Sequence, residues 1–90
     1  MNEITKLAVL LAEENIPFEL NTFVVAKEPT IQICSPNKGN AVVDAVCHNY
    51  SYGGPEGLIE VLGSRNVNKP NDDVVGWLTA EEAVVYFREK

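Results

Sequence analysis

The sequence predicts an α+β domain: an N-terminal helix, a three-stranded antiparallel meander, and two C-terminal helices packed on the sheet. Three observations lead there. Residues 2–15 place Ile4, Leu7, Ala8 and Leu11 at i, i+3, i+4 and i+7, one apolar stripe of a helix. Residues 18–49 hold three runs rich in β-branched and aromatic residues, separated by turn residues. Two helix-start patterns follow, Gly54-Pro55 and Thr79-Ala80-Glu81-Glu82.

Asn2 caps the first helix. Asn15 ahead of Ile16-Pro17 ends it, because a proline pushes the preceding residue into the extended region. Residues 18–25 (FELNTFVV) read as the first strand, 26–29 as a turn and 30–35 (TIQICS) as the second strand. The segment SPNKGN has hairpin composition, with Asn37 and Lys38 in a type I turn and Gly39 in a left-handed bulge position. That loop sets Pro36 opposite Asn40, Ile33 opposite Val43 and Ile31 opposite Ala45. The two isoleucines then share a face with Val43, Ala45 and Cys47. Cys34 falls opposite Val42 on the other face, so the cysteines are not cross-strand partners for a disulfide.

The third strand covers residues 41–49. Gly54 as cap and Pro55 as first helical residue start a short helix, with Leu58, Ile59 and Leu62 buried and Gly63 as its stop. Residues 64–73 (SRNVNKPNDD) are the most polar stretch and read as an exposed, mobile loop. Val74, Val75 and Trp77 dock the approach to the last helix, as a short strand or an irregular run. Thr79 and Glu82 form its capping box, and Ala80, Ala83, Val84 and Phe87 line its inner face.

Ninety residues make one domain with one thin core. The net charge is −6, and the seven cations (Lys6, Lys27, Lys38, Arg65, Lys69, Arg88, Lys90) are scattered. No basic face is available for nucleic acid or for an anionic membrane. Such a balance suits a basic protein surface as partner. Self-association is also open to a small acidic domain. The apolar run in KLAVLLAEEN is too short for a signal core or a membrane span. Cys34 and Cys47 lack a second pair for zinc and read as reduced thiols.

Residues 49–63 (NYSYGGPEGLIEVLG) carry the most suggestive chemistry. Glycines at a helix start can hold an anion, and tyrosines can stack on a ring. Here Pro55 removes one donor, Glu56 opposes an anion, and no lysine completes a phosphate-binding spacing. Two readings stand. The loop is strand-to-helix punctuation, or Tyr50, Tyr52, Gly53 and Gly54 shape a pocket between subunits in which Arg65 or Lys69 meets a nucleotide-type ligand. His48 shares a face with Asp44 but lies about 13 Å from it along an extended chain. Cys47 points the other way, so catalysis around His48 has no assembled partner. No spacing implies a metal or a cofactor. Trp77, a lone tryptophan beside Gly76, reads first as a core or half-core residue; the alternative makes it, with Asp72 and Asp73, the candidate protein interface.

Several stretches resemble one group of proteins. NIPFE at 15–19, IQIC at 31–34, SYGG–EGL–E at 51–60 and DVVGWLTAEE at 73–82 are similar to small uncharacterised proteins encoded in phages and prophages of Firmicutes. The likeness spans most of the chain. It implies a bacterial cytoplasm during phage or prophage expression, and no assigned activity whose residues could be carried over. Small acidic phage proteins often inhibit host machinery or antiviral defence. The predicted element order is also similar to that of some acidic anti-CRISPR proteins, an analogy of order without a shared motif. The expected function is therefore a non-catalytic acidic binding protein that targets a host protein. The alternatives are an oligomeric small-ligand binder, an accessory protein whose interface is apolar and contains Trp77, and an enzyme built around His48.

Overall fold

A computed structural model describes residues 2–90. Helix α1 spans Glu3–Glu13, and the Asn2 side chain accepts the Thr5 N–H at 2.9 Å as its cap. Five strands follow: β1 (Glu19–Val25), β2 (Glu28–Ser35), β3 (Val43–Val46), β4 (Ile59–Gly63) and β5 (Val74–Leu78). They form one antiparallel sheet in the order β1-β2-β3-β4-β5. Helix α2 (Ala80–Ala83) continues into a 3-10 turn at Val84–Tyr86.

The register defines two faces. One row runs Leu20, Ile33, Ala45, Val61, Val75 across all five strands. Its central residues are buried against Leu7 and Leu11 of α1 and against Ala83, Val84 and Phe87. Each fully buried large side chain of this layer contributes about 1.5–3 kcal/mol. The neighbouring row, Asn21, Gln32, Val46, Glu60, points away from the helices. This second face is the outer face.

The three-stranded meander with two C-terminal helices is corrected to five strands and a different helix layout. The expected helix at 54–63 is a single 3-10 turn, Gly54–Glu56, followed by β4. Gly57 (φ +79°) and Gly63 (φ +85°) are both left-handed, and too few residues remain between them to nucleate a helix. Ile59 and Val61 are buried while Glu60 and Leu62 are not, the alternation of a strand. Pairing along β3 gives β4 its backbone partners, and β5 joins on its other side. The last helix is short but its capping box is present, with Thr79 and Glu82 reciprocally bonded at 2.9 and 3.2 Å.

The second hairpin also differs. Ile33 pairs with Ala45, Ser35 with Val43 and Cys34 with Asp44, a slip of two residues. The Lys38 N–H donates to Glu19 Oε1 and the Asn40 N–H to Asn37 Oδ1, which opens a wider loop in which Gly39 is not left-handed. A slip of two preserves the side-chain faces, so Ile33, Val43 and Ala45 still meet in the core. Residues 64–73 are pinned rather than loose. The Arg65 N–H donates to Tyr86 O, the Val67 N–H to Glu89 O, and buried Asn66 donates to Val85 O at 2.8 Å.

Candidate functional site

The loop between β3 and β4 is built around Ser51. Its hydroxyl donates to His48 O and accepts the His48 N–H, both at 2.9 Å, and its own N–H donates to His48 O. Gly54 sits against His48 O so closely that any Cβ there would collide with it. The N–H groups of Tyr50, Ser51, Tyr52, Gly54, Glu56, Gly57 and Leu58 all have acceptors within the protein. Those seven amides are thus committed internally, which leaves little of an anion cradle.

The loop instead presents an aromatic pair. Tyr52 and Trp77 stack with ring centroids 5.5 Å apart and planes inclined by 17°. Such a pair contributes about 0.5–1.5 kcal/mol beyond its burial. Trp77 would point inward if β5 alternated regularly after Val75. The register between Ile59 and Val61 is irregular, and Leu78 takes the place opposite Ile59 and packs on the core. Trp77 adopts φ +56° and is 57 % exposed. A left-handed backbone at a bulky residue costs about 1–3 kcal/mol. Bulges of this kind re-aim a side chain. The arrangement is held by the Trp77 N–H, which donates to Tyr52 O at 3.1 Å, and by Gly76, which admits the Tyr52 backbone.

Glu60 connects this pair to the outer face, its carboxylate accepting the Tyr52 N–H at 2.8 Å. No strand contains a lysine or an arginine, and the four strand carboxylates, Glu19, Glu28, Asp44 and Glu60, all have outer-face register. None has an ion-pair partner among the described residues. The ion pairs lie elsewhere: Lys6 with Glu3 and Glu81, Arg88 with Glu14, Arg65 with Glu89. Burial pushes the Asp44 carboxyl above its ordinary range; the Gln32 amide partly offsets this and the Glu60 charge adds to it. Half-exposed Leu62 lies between Asp44 and Val74 on the same face.

The other predicted site residues are dispersed. Tyr50 is exposed outside the stack, and Gly53 packs against the Trp77 backbone. Arg65 donates to Ser35 Oγ and Glu89, and the Lys69 ammonium lies over the Tyr86 ring. Both belong to the loop that leaves the far end of β4, so one chain does not unite them with the tyrosines. Asp72 is exposed, and Asp73 accepts the Val74 N–H at the start of β5, about 13 Å along the strand from Trp77.

A cleft of about 310 Å³ opens between the β1–β2 hairpin and this loop, lined in part by Glu28, Thr30, Cys47 and His48. His48 Nδ1 accepts the Tyr50 N–H, and the ring meets Phe23 edge-on. The Cys47 thiol points at Gly54 O, and burial pushes its pKa up, away from the thiolate a nucleophile needs. Cys34 is also a free thiol raised by burial. Among the described residues, no group of three or more His, Cys, Asp or Glu side chains is placed to hold a metal, and no helix is long and apolar enough to cross a membrane.

Sequence reasoning missed Glu60 as the acceptor for the Tyr52 N–H, and Asp44 and Leu62 as members of the same outer face. The available signal was the alternation Ile59-Glu60-Val61-Leu62, which the Gly-Pro helix start masked. Fold and site together define a small α+β domain whose outer sheet face carries four carboxylates and is edged by an aromatic pair. Comparison of the chain with family models, curated proteins and solved structures finds no match.

Proposed function

We propose that the protein is a non-catalytic acidic binding protein whose partner is another protein, docked on the Tyr52–Trp77 pair and the adjoining outer face. The observation that carries this reading is Trp77, held outward on a left-handed backbone. Tryptophan and tyrosine are enriched among the few residues that carry most of the binding energy of protein interfaces. The four outer-face carboxylates select a partner with a basic rim and repel nucleic-acid phosphates. The resemblance to phage and prophage proteins supports a host protein as target, met in the bacterial cytoplasm, with inhibition of host machinery or defence as the outcome.

Affinity capture from a bacterial lysate, with native mass spectrometry of the purified chain, tests the proposal. Wild-type protein should retain a discrete partner that Trp77→Ala loses and Asp44→Asn/Glu60→Gln weakens, with Trp77 fluorescence shielded in the complex. Equal capture by Trp77→Ala would overturn it. So would a tightly held mass of a few hundred daltons in place of a protein, which would favour the small-ligand reading.

A further inference from the structure

We propose that strand β1 is a homodimerisation edge, pairing antiparallel with β1 of a second copy about a two-fold axis at Thr22. The two ends of the sheet are treated differently. At one end β5 is short, its register is irregular, and the Trp77 N–H is already used by Tyr52 O. At the other end β1 is seven residues long and pairs with β2 without a break over its whole length. Its sequence, ELNTFVV, contains no Pro, Gly or Lys, the usual devices that blunt an edge.

The hairpin geometry identifies which backbone groups are free. Ala26 and Lys27 form a two-residue turn with both φ positive, closed by the pair Val25–Glu28. In such a hairpin the closing pair is hydrogen-bonded, and bonded pairs alternate from there. Val25, Phe23, Asn21 and Glu19 therefore bond β2, while Leu20, Thr22 and Val24 turn their N–H and C=O groups outward. Among the described residues no strand meets that side.

The edge is self-complementary. A two-fold axis at Thr22 sets Leu20 opposite Val24 of the second copy and Asn21 opposite its Phe23. About six backbone hydrogen bonds form across the seam. Leu20, Val24 and Ile31 are half-exposed or more and share the helix-side face, where an apolar groove of about 100 Å³ runs between α1 and the sheet. Two copies would close these surfaces on each other beneath their paired α1 helices. Residues 20–25 are uncharged although the chain carries −6. The only charge in β1, Glu19, falls opposite Val25 of the second copy, two residues from its Lys27. The two Glu19 side chains stand about 20 Å apart, beyond the screening length of physiological salt.

Sedimentation equilibrium of the full chain tests the proposal. Wild-type protein should be a dimer at micromolar concentration. Thr22→Pro removes an outward N–H without breaking a bond to β2, and Val24→Lys places a charge in the seam. Each should weaken dimerisation by about tenfold or more, with an unchanged circular dichroism spectrum. Should Thr22→Pro disturb the spectrum, Val24→Lys decides. Under a mild oxidant Thr22→Cys should link to itself, and Leu20→Cys should link only to Val24→Cys. A monomer at every concentration, or a dimer that survives both edge variants, overturns the proposal. Self-linking of Leu20→Cys as fast as Thr22→Cys overturns the register.

Discussion

The backbone N–H of Trp77 donates to the carbonyl of Tyr52 at 3.1 Å while the two rings stack 5.5 Å apart. One contact thus joins the loop after β3 to the edge strand β5 and holds the tryptophan on an outward, left-handed backbone. Replacing Trp77 by Gly should cost less stability than replacing it by Ala, by about 1 kcal/mol, since only glycine is relaxed at φ +56°. Urea unfolding of the two variants checks this, and an equal or reversed order would sink it.

Gly76 is required for a different reason, close approach. A Cβ there would run into the Tyr52 Cβ and lie 2.7 Å from the Tyr52 carbonyl oxygen. Gly76→Ala should destabilise by about 2 kcal/mol or more. Gly57→Ala is the comparison: a Cβ meets nothing within 4 Å, but φ is +79°, so the cost should be about 1 kcal/mol. Thermal unfolding that ranks Gly57→Ala as the worse variant would contradict the packing.

Asp44 titrates above the usual range in the folded chain because burial disfavours its charge. A carboxyl raised on folding opposes stability when ionised, and the opposition lifts as pH falls through the folded pKa. Asp44→Asn should therefore stabilise at neutral pH, by about 1 kcal/mol. The gain should vanish below the ordinary Asp range, where both states are protonated. A gain that persists at low pH would point to packing instead.

Glu3 behaves oppositely. Its carboxylate accepts the Ala80 N–H at 2.7 Å, tying the start of α1 to the start of α2. That bond lowers its pKa; burial opposes the shift and Lys6 assists it. The stability it contributes is present above the unfolded pKa and lost as pH falls through the folded one. Glu3→Gln should cost about 1–2 kcal/mol at pH 7 and flatten the acid limb of a stability-versus-pH curve. An unchanged acid limb would refute the assignment.

Asn66 anchors the polar loop by donating to Val85 O and accepting the Asn68 N–H, both at 2.8 Å. Asn66→Ala should destabilise by about 1–3 kcal/mol and speed hydrogen exchange at Arg65 and Val67, whose N–H groups bond Tyr86 O and Glu89 O. Fast exchange there in the wild-type chain would instead restore a loose loop.

Local patterns carried part of this fold. The stripe Ile4-Leu7-Leu11, the Asn2 cap and the Thr79–Glu82 box need only residues three or four apart, and all are present. The face shared by Ile33, Val43 and Ala45 was legible too, because a two-residue slip leaves side-chain parity unchanged. The register was not, since the loop is held by Glu19 of another strand, whose carboxylate accepts the Lys38 backbone N–H. At the site, the lone tryptophan and the Tyr-Gly-Gly loop were visible as separate features. Their stacking was not, because it depends on β4 and β5 pairing in the sheet.

The sequence by itself determined the outer elements, the Asn2 cap and the Thr79–Glu82 box, the core face shared by Ile33, Val43 and Ala45, and the acidic balance of the chain. Only the tertiary structure decided that residues 59–63 are a strand. The Gly-Pro start and the spacing of Leu58, Ile59 and Leu62 suit a short helix, while Ile59 and Val61 suit a strand, so local preference is divided. Backbone partners along β3 and β5, and a core that takes Ile59 and Val61 together, resolve it. The same pairing turns Trp77 out beside Tyr52 and lines up Asp44, Glu60 and Leu62, so the candidate surface exists only once the sheet does.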